Sequence, residues 1–248
     1  MSGRPVEHHA VLDSTNTRAK ALVEAGAAAA GLLVLADEQT AGRGQRGATW
    51  HTVPGRSLAL SLVVPRPEVE RPGRLPLLAA LATAHALEGA GSPPVAIKWP
   101  NDLYVADRKV GGLLLETASD PAGRPFLVAG LGVNLSLRPG DLPAELGERA
   151  GDCGLPVDRP TREALGSAFA AGFEEALAQL GTAADRARGE EYRRRSWLVG
   201  RRVRLAVQGR PEDVELADVT PDGDLVLADG RRLRGEHCRI LPEGPADA

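Results

Sequence analysis

Gly42-Arg43-Gly44-Gln45-Arg46-Gly47 is the stretch on which the fold turns. Its glycines satisfy G-x-G-x-x-G, and the apolar run Leu32 to Ala36 precedes it, which is the setting of a dinucleotide-binding Rossmann crossover. The next eight residues decide against that reading. A Rossmann loop opens directly into a helix whose N-terminus faces a pyrophosphate. Gly47 leads instead into Ala48-Thr49-Trp50-His51-Thr52-Val53-Pro54-Gly55, where β-branched residues, Pro and Gly disfavour a helix. The P-loop pattern G-x-x-x-x-G-K-[ST] fails as well, because Ala48 stands where it requires lysine. What remains is a glycine-rich loop between strands, carrying the guanidiniums of Arg43 and Arg46 among backbone N–H groups free to approach an anion.

Outward from the loop, Leu32 to Ala36 and Ser57 to Val64 predict strands at least partly buried in a sheet. Leu75 to Leu87 is Ala/Leu-rich and too long for a strand, so it predicts a helix packed on that sheet. Val95 to Trp99, Leu103 to Val105, Val110 to Glu116 and Phe126 to Leu131 predict further strands, the middle pair joined by the polar turn Ala106-Asp107-Arg108. Upstream, Asp13-Ser14-Thr15-Asn16 precedes Ala19, Ala21, Leu22 and Val23 and stops at Gly26, which predicts a helix capped by Ser14. Leu165, Ala168, Phe169, Phe173, Ala176 and Leu180 recur at helical spacing, and the charged segment Asp185 to Trp197 suits another helix. The fold class is therefore α+β, a mixed β-sheet flanked by helices. From Val203 onward, short Val/Leu segments alternate with the turns Gln208-Gly209, Pro221-Asp222-Gly223 and Asp229-Gly230, the pattern of a small β-barrel. A boundary at Trp197 divides the chain into 1–196 and 197–248, with a frayed tail after Leu241.

The 248 residues are 43% hydrophobic, enough for a packed core, which excludes disorder for the bulk. Thirty Lys and Arg against 33 Asp and Glu give a net charge of -3, so no nucleic-acid partner is expected; the arginines at 193–195, 201, 202 and 204 read as a solvated face. Cys153 and Cys238 stand far apart without metal-ligand spacing and read as small buried residues in a reduced compartment. No apolar run approaches the ~20 residues that span a bilayer, so no membrane association is expected and the location is expected to be cytoplasmic.

A second constellation is Lys98-Trp99-Pro100-Asn101-Asp102-Leu103, followed by Lys109-Val110-Gly111-Gly112 and Glu116. Together with Asp13-Ser14-Thr15-Asn16, Gln39-Thr40-Ala41-Gly42-Arg43-Gly44 and Gly132-Val133-Asn134, it resembles the biotin protein ligases in family order and spacing. The resemblance covers the whole chain. It implies a catalytic domain related to class II aminoacyl-tRNA synthetases and an SH3-like C-terminal β-barrel. With nine residues before its first strand signal, the chain is expected to lack the N-terminal DNA-binding domain of bifunctional members.

The implied activity joins biotin to ATP as biotinyl-5'-AMP and then transfers it to a lysine of a biotin carboxyl carrier domain of a carboxylase. Two anions brought to ~4 Å repel by ~4 kcal/mol at an effective dielectric near 20, so fixed cations must offset this. By resemblance Arg43 and Lys109 supply that charge, with Mg²⁺ on the triphosphate, its protein ligands left open. The ureido end of biotin is implied to meet Ser14, Thr15, Asn16 and Gln39, with Trp50 as a wall. Gly42, Gly44 and Gln45 of the loop, and Gly111 and Gly112, complete the biotin-binding set. Arg43, Arg46, Lys98, Asn101, Lys109 and Asn134 are implied on the ATP and adenylate side, and Asp102, beside the catalytic set Lys98, Arg43 and Lys109, is the candidate to orient or deprotonate the acceptor lysine. The loop departs from many bacterial members, having Gln45 where arginine is common and Ala48 where another basic residue is common. The alternative is a lipoate- or octanoate-protein ligase of the same fold, expected to lack the arginine-bearing loop and the Lys98-to-Asp102 string. A monomer or weak homodimer is expected.

Overall fold

The structure is a computed structural model that describes residues 3–241. The chain enters along β1 (Val6–Leu12), turns through α1 (Thr15–Glu24) and continues as β2 (Leu33–Gln39) and β3 (Ser57–Pro65). Next come α2 (Arg74–Gly89), β4 (Ala96–Lys98), β5 (Asp102–Val105), β6 (Arg108–Ser119) and β7 (Pro125–Asn134), then α3 (Ala144–Gly147), α4 (Arg159–Ala178) and α5 (Ala183–Arg194). The seven strands form one sheet in the order β1-β2-β3-β7-β6-β5-β4; β1 runs parallel to β2 and the other neighbours are antiparallel, so the sheet is mixed as predicted.

β1 begins at Val6, ahead of the predicted first strand signal. Its polar residues are paired: His8 Nε2 lies 3.0 Å from Asp37 Oδ1, and His9 Nε2 lies 2.5 Å from Glu7 Oε1. An edge strand buried on neither face lacks the apolar run that sequence reading looks for. Ser14 sits at the N-cap of α1 in extended conformation, but its side chain makes no capping hydrogen bond, contrary to expectation. The stop is as predicted: Gly26 has φ 69 and its N–H donates to Val23 O at 2.9 Å.

Alternation along β3 and β7 builds the site. Leu58, Leu60 and Leu62 with Leu127, Ala129 and Leu131 face the large core under α2 and α4, where Phe169 and Phe173 stack at 5.9 Å. Side chains one position along point to the opposite face. There Val63, Val128 and Ala118 pack under Ala19 and Val23 of α1. The rest of that face is paved with small residues: Ser61 pairs with Gly130, which pairs with Leu114, and Ala59 pairs with Gly132, which pairs with Gly112. The helix covers one end of this floor and leaves the other open.

The remaining strands, β8 (Arg202–Val207), β9 (Arg210–Val219), β10 (Leu225–Leu227), β11 (Arg232–Leu233) and β12 (Cys238–Ile240), form a five-stranded antiparallel sheet among the described residues. β9 pairs with β8 through residues 210–215 and with β10 through its last four residues. This sheet is anchored to the first. Trp99 Nε1 donates to Gly223 O at 2.9 Å, and Arg74 reaches Asp185 at 2.5 Å and Asp222 at 2.8 Å. Gly223 has φ 87, and a Cβ on it would come within 2.7 Å of Leu77, so glycine is required there. Cys153 and Cys238 are free and buried, and burial pushes their thiols up to about 12 and about 11. The predicted tail after Leu241 lies outside the described residues. No helix of the described residues is long and apolar enough to cross a membrane.

Candidate active site

Two cavities open over the small-residue floor, and they share a wall. The smaller, about 230 Å³, is lined by Ser14, Thr15, Asn16, Gln39, Arg43 and Gly44 on one side and by Gly112, Gly130 and Gly132 below. The larger, about 600 Å³, is lined by Arg46, Lys98, Pro100, Asn134, Leu142, Leu146, Arg149 and Arg239. Gln45, Ala48, Thr49, Trp50, Asn101, Asp102 and Lys109 line both. Lys109 Nζ lies 2.8 Å from Asp102 Oδ1, and this pair marks the junction.

The polar end of the smaller cavity is held by the start of α1. Gln39 Oε1 accepts from Thr15 N at 2.8 Å and lies 3.1 Å from Thr15 Oγ1, while Gln39 Nε2 donates to Thr52 Oγ1 at 3.3 Å. Ser61, fully buried, lies 2.6 Å from Asn16 Oδ1 and 2.8 Å from Thr15 Oγ1. Asn16 Nδ2 donates to Leu114 O and to Glu116 Oε2, at 3.1 and 2.8 Å. Asn16 also fills the space above Gly130: a Cβ on Gly130 would overlap its amide.

The glycine-rich loop folds back over the floor without a helix after Gly47. Trp50 N donates to Gly42 O at 2.9 Å, Arg43 bridges to Thr49, and Gly44 N donates to Ala48 O at 2.6 Å, closing a tight turn at Gln45–Gly47. Arg46 holds φ 56 within that turn, an uncommon conformation for a residue with a side chain, and it lines the larger cavity. The Trp50 indole lies directly over Gly132, where any Cβ would overlap it, and its Nε1 is buried with no hydrogen-bond partner among the described residues. Arg43 turns away from the larger cavity and forks onto Glu116, with Nη2 2.8 Å from Oε2 and Nη1 3.2 Å from Oε1. Burial acts against ionisation of Glu116, but its bonds from Asn16 and Lys20 and the charges of Arg43 and Lys20 outweigh it, so its carboxyl is held below the ordinary range.

The structure thus gathers Ser14, Thr15, Asn16, Gln39, Arg43, Gly44, Gln45, Trp50, Lys109 and Gly112 at one cavity, and Arg46, Lys98, Asn101 and Asn134 at the other. Two expected residues stand back. A Cβ on Gly42 would overlap the Trp50 carbonyl, and one on Gly111 would meet Gly132 O at 2.8 Å, so these glycines serve close backbone packing rather than the cavity surface. Gly112 faces the junction, where a Cβ would lie 3.0 Å from Asp102 Oδ1. Asp102 is the cross-strand partner of Lys98, and its carboxylate forms an ion pair with Lys109. Lys98 Nζ instead lies over the rings of Tyr104 and Trp197, at 5.7 and 5.3 Å from their centroids. Asn101 donates to Leu113 O at 2.5 Å, and Asn134 donates to Gly151 O at 3.1 Å.

Sequence reading missed Gly130, Leu142, Leu146, Arg149 and Arg239 as lining residues, and Ser61 as the support behind Thr15 and Asn16. Small residues at alternate positions, Ser57-x-Ala59-x-Ser61 and Gly130-x-Gly132, carried a usable signal; the others reach the cavity only through tertiary packing.

Residues 9–134 match the Biotin/lipoate A/B protein ligase family. The chain is 36% identical over 146 residues to the bifunctional ligase/repressor BirA of Bacillus subtilis, an alignment covering 58% of this chain and 44% of BirA, so the chain spans less than half the length of that relative. It is 32% identical over 226 residues to the biotin–[acetyl-CoA-carboxylase] ligase of Mycobacterium tuberculosis, covering 88% of this chain and 81% of that protein. The biotin protein ligase of Aquifex aeolicus, solved in complex with biotin and ATP, superposes with a TM-score of 0.79 at 24% identity, over 97% of this chain and 100% of that one. The Mycobacterium relative and the family match together place this chain in the biotin/lipoate A/B protein ligase family.

Proposed function

We propose that this protein is an ATP-dependent biotin–[biotin carboxyl-carrier protein] ligase. The observation that carries the reading is the Lys109–Asp102 pair at the junction of a small polar-ended cavity and a larger cation-lined one. A small carboxylic acid in the first and a nucleotide in the second would bring their anions together at the Lys109 ammonium.

Biotin fits the smaller cavity with its ureido ring against Ser14, Thr15 and Gln39 and its carboxylate toward Lys109. ATP fits the larger one, its phosphates among Arg46, Lys98, Arg149 and Arg239. A carboxylate oxygen attacks the α-phosphorus; the new P–O bond forms as the α–β bridge breaks and pyrophosphate leaves. Lys109 lowers the repulsion between the two anions, and a chain that fixes them side by side saves the entropy of bringing them together. Among the described residues no group of three or more His, Cys, Asp or Glu could hold a metal ion. Mg²⁺ brought with the triphosphate would neutralise part of its charge and leave the α-phosphorus more open to attack. In the second step the acceptor lysine attacks the acyl carbon, an amide forms and AMP departs. Asp102, beside Lys109 at the junction, would orient the amine or take the proton that it loses.

The acceptor is a carrier domain of a biotin-dependent carboxylase, the compartment the cytoplasm, and the protein a monomer or weak homodimer. The chain divides at 196/197, the second part being SH3-like. Incubation with ATP, Mg²⁺, an acceptor domain and biotin, lipoate or octanoate tests the reading. Streptavidin-detectable, ATP-dependent labelling is expected; no labelling by folded protein overturns it, and pyrophosphate exchange with lipoate or octanoate but not biotin selects the other acid.

A further inference from the structure

Asn16 belongs to the polar end of the smaller cavity, yet its amide has nothing left to donate to a ligand. Both acceptors around Nδ2, the Leu114 carbonyl and the Glu116 carboxylate, fix which way the amide points. Oδ1 can then only accept, so the single Ser61 hydroxyl proton goes to Asn16 at 2.6 Å. Thr15 Oγ1 then has two acceptors for its proton, Ser61 Oγ at 2.8 Å and Gln39 Oε1 at 3.1 Å, and the shorter contact favours Ser61. Thr15 is left presenting lone pairs, not a proton, to the cavity, while its backbone N–H stays on Gln39. At the other end of the chain of bonds, Glu116 holds Lys20 at 3.1 Å and the fork of Arg43 from the covering loop. Thr15, Asn16 and Ser61 are all buried, and the Asn16 amide fills the space that Gly130 leaves by having no side chain.

We propose that Ser61 and Glu116 are positioning residues that couple the ligand-reading end of the smaller cavity to the loop that covers it, by a continuous path from Thr15 through Ser61, Asn16 and Glu116 to Arg43. Neither residue needs to touch the ligand. The path sets Thr15 as an acceptor, suited to a ligand N–H, and ties the seat of Arg43 to the same proton arrangement. A ligand that engages Thr15 therefore stiffens the path, and a loop held at Arg43 favours the Thr15 arrangement that the ligand reads.

The inference rests on the smaller cavity being the biotin slot, and the test separates the two. Biotin and ATP affinities are measured by calorimetry for the full chain, Ser61→Ala, Glu116→Gln and the double variant, with thermal melts to show that each is folded. Ser61→Ala is expected to weaken biotin about tenfold and ATP less than twofold, as loss of about one buried hydrogen-bond network member predicts. Glu116→Gln, which keeps an acceptor for Asn16 but loses the charge that holds Arg43, is expected to speed tryptic cleavage after Arg43 in biotin-saturated protein. In the double variant the Ser61→Ala penalty should shrink to about threefold or less, because linked residues are not additive. Independent penalties that multiply, or equal losses for biotin and ATP, overturn the coupling. If Ser61→Ala does not fold, the tryptic rate of Glu116→Gln with and without biotin decides: a biotin-induced protection as large as in the unmodified chain overturns it. Absence of biotin binding by the unmodified chain would defeat the slot reading itself.

Discussion

Replacing Lys109 with alanine is the perturbation with the largest expected effect on the chemistry. Its ammonium stands 2.8 Å from Asp102 at the junction of the two cavities. Two anions meeting there at ~4 Å repel by ~4 kcal/mol at an effective dielectric near 20. The Lys109 side chain is 38% exposed, so water screens part of its field, and ~3 kcal/mol is the lower figure that a preorganised charge at a reacting centre supplies. That corresponds to a loss of ~10²-fold in adenylate formation. A second term has the same sign: without Lys109, the Asp102 carboxylate faces the incoming anions unpaired. Adding Asp102→Asn to Lys109→Ala should therefore recover part of the loss, about fivefold to tenfold, because it removes the unpaired negative charge and keeps a polar side chain. Biotin-dependent ATP–pyrophosphate exchange reads the step before the acceptor is involved, and a thermal melt checks that the fold survives. Exchange within fivefold of the unmodified rate, or a double variant slower than Lys109→Ala, would refute the placement of this pair.

Three further outcomes are expected. Arg46→Ala, removing the guanidinium that the left-handed turn directs to the larger cavity, should speed release of preformed biotinyl-adenylate about tenfold, whereas Gln45→Arg should change it little; filter-bound radiolabelled intermediate measures both. Gly132→Ala should displace the Trp50 indole and weaken biotin and ATP together, since Trp50 lines both cavities; calorimetry that finds either affinity unchanged would count against Trp50 as a shared wall. For Glu88, burial acts against ionisation, but Arg195's paired bonds at 2.6 and 3.0 Å and the Val95 N–H outweigh it, holding the carboxyl below its ordinary value. Its stabilisation is then complete above the unfolded carboxylate pKa and lost as pH falls through the depressed one, so Glu88→Gln should lower Tm at neutral pH and flatten its acid limb.

The helices and central strands were legible because their apolar periods are long: Ser57 to Val64 is buried along its whole length, and Leu75 to Leu87 falls within one helix. The glycine loop was legible from its C-terminal flank, since β-branched Thr49, Thr52 and Val53 with Pro54 and Gly55 disfavour a helix there. β1 was not, because Glu7, His8 and His9 satisfy themselves with partners from Asp37 and Arg18 that no local pattern announces. At the site, motifs located most of the residues but not their partners. Nothing in the sequence says that Asp102 answers Lys109, or that Arg43 rests on a glutamate 73 positions away. Ser61 was hidden by its own smallness, reading as one more strand position among leucines.

The bond from the Trp99 indole to Gly223 makes the second sheet a back support for the nucleotide side of the site. A Cβ on Gly235 would come within 2.9 Å of the same ring, so that sheet touches Trp99 at two places. A chain cut after residue 196 would keep every residue of the smaller cavity and lose Arg239 from the larger. Its Trp99, buried in the intact chain, would present a bare indole N–H to water, immediately before Pro100, Asn101 and Asp102. On the proposed reading, such a fragment should still hold the small acid while handling the nucleotide poorly, which makes residues 1–196 unsuitable as a stand-alone labelling tag and the second sheet the natural place to graft a switch over ATP use alone.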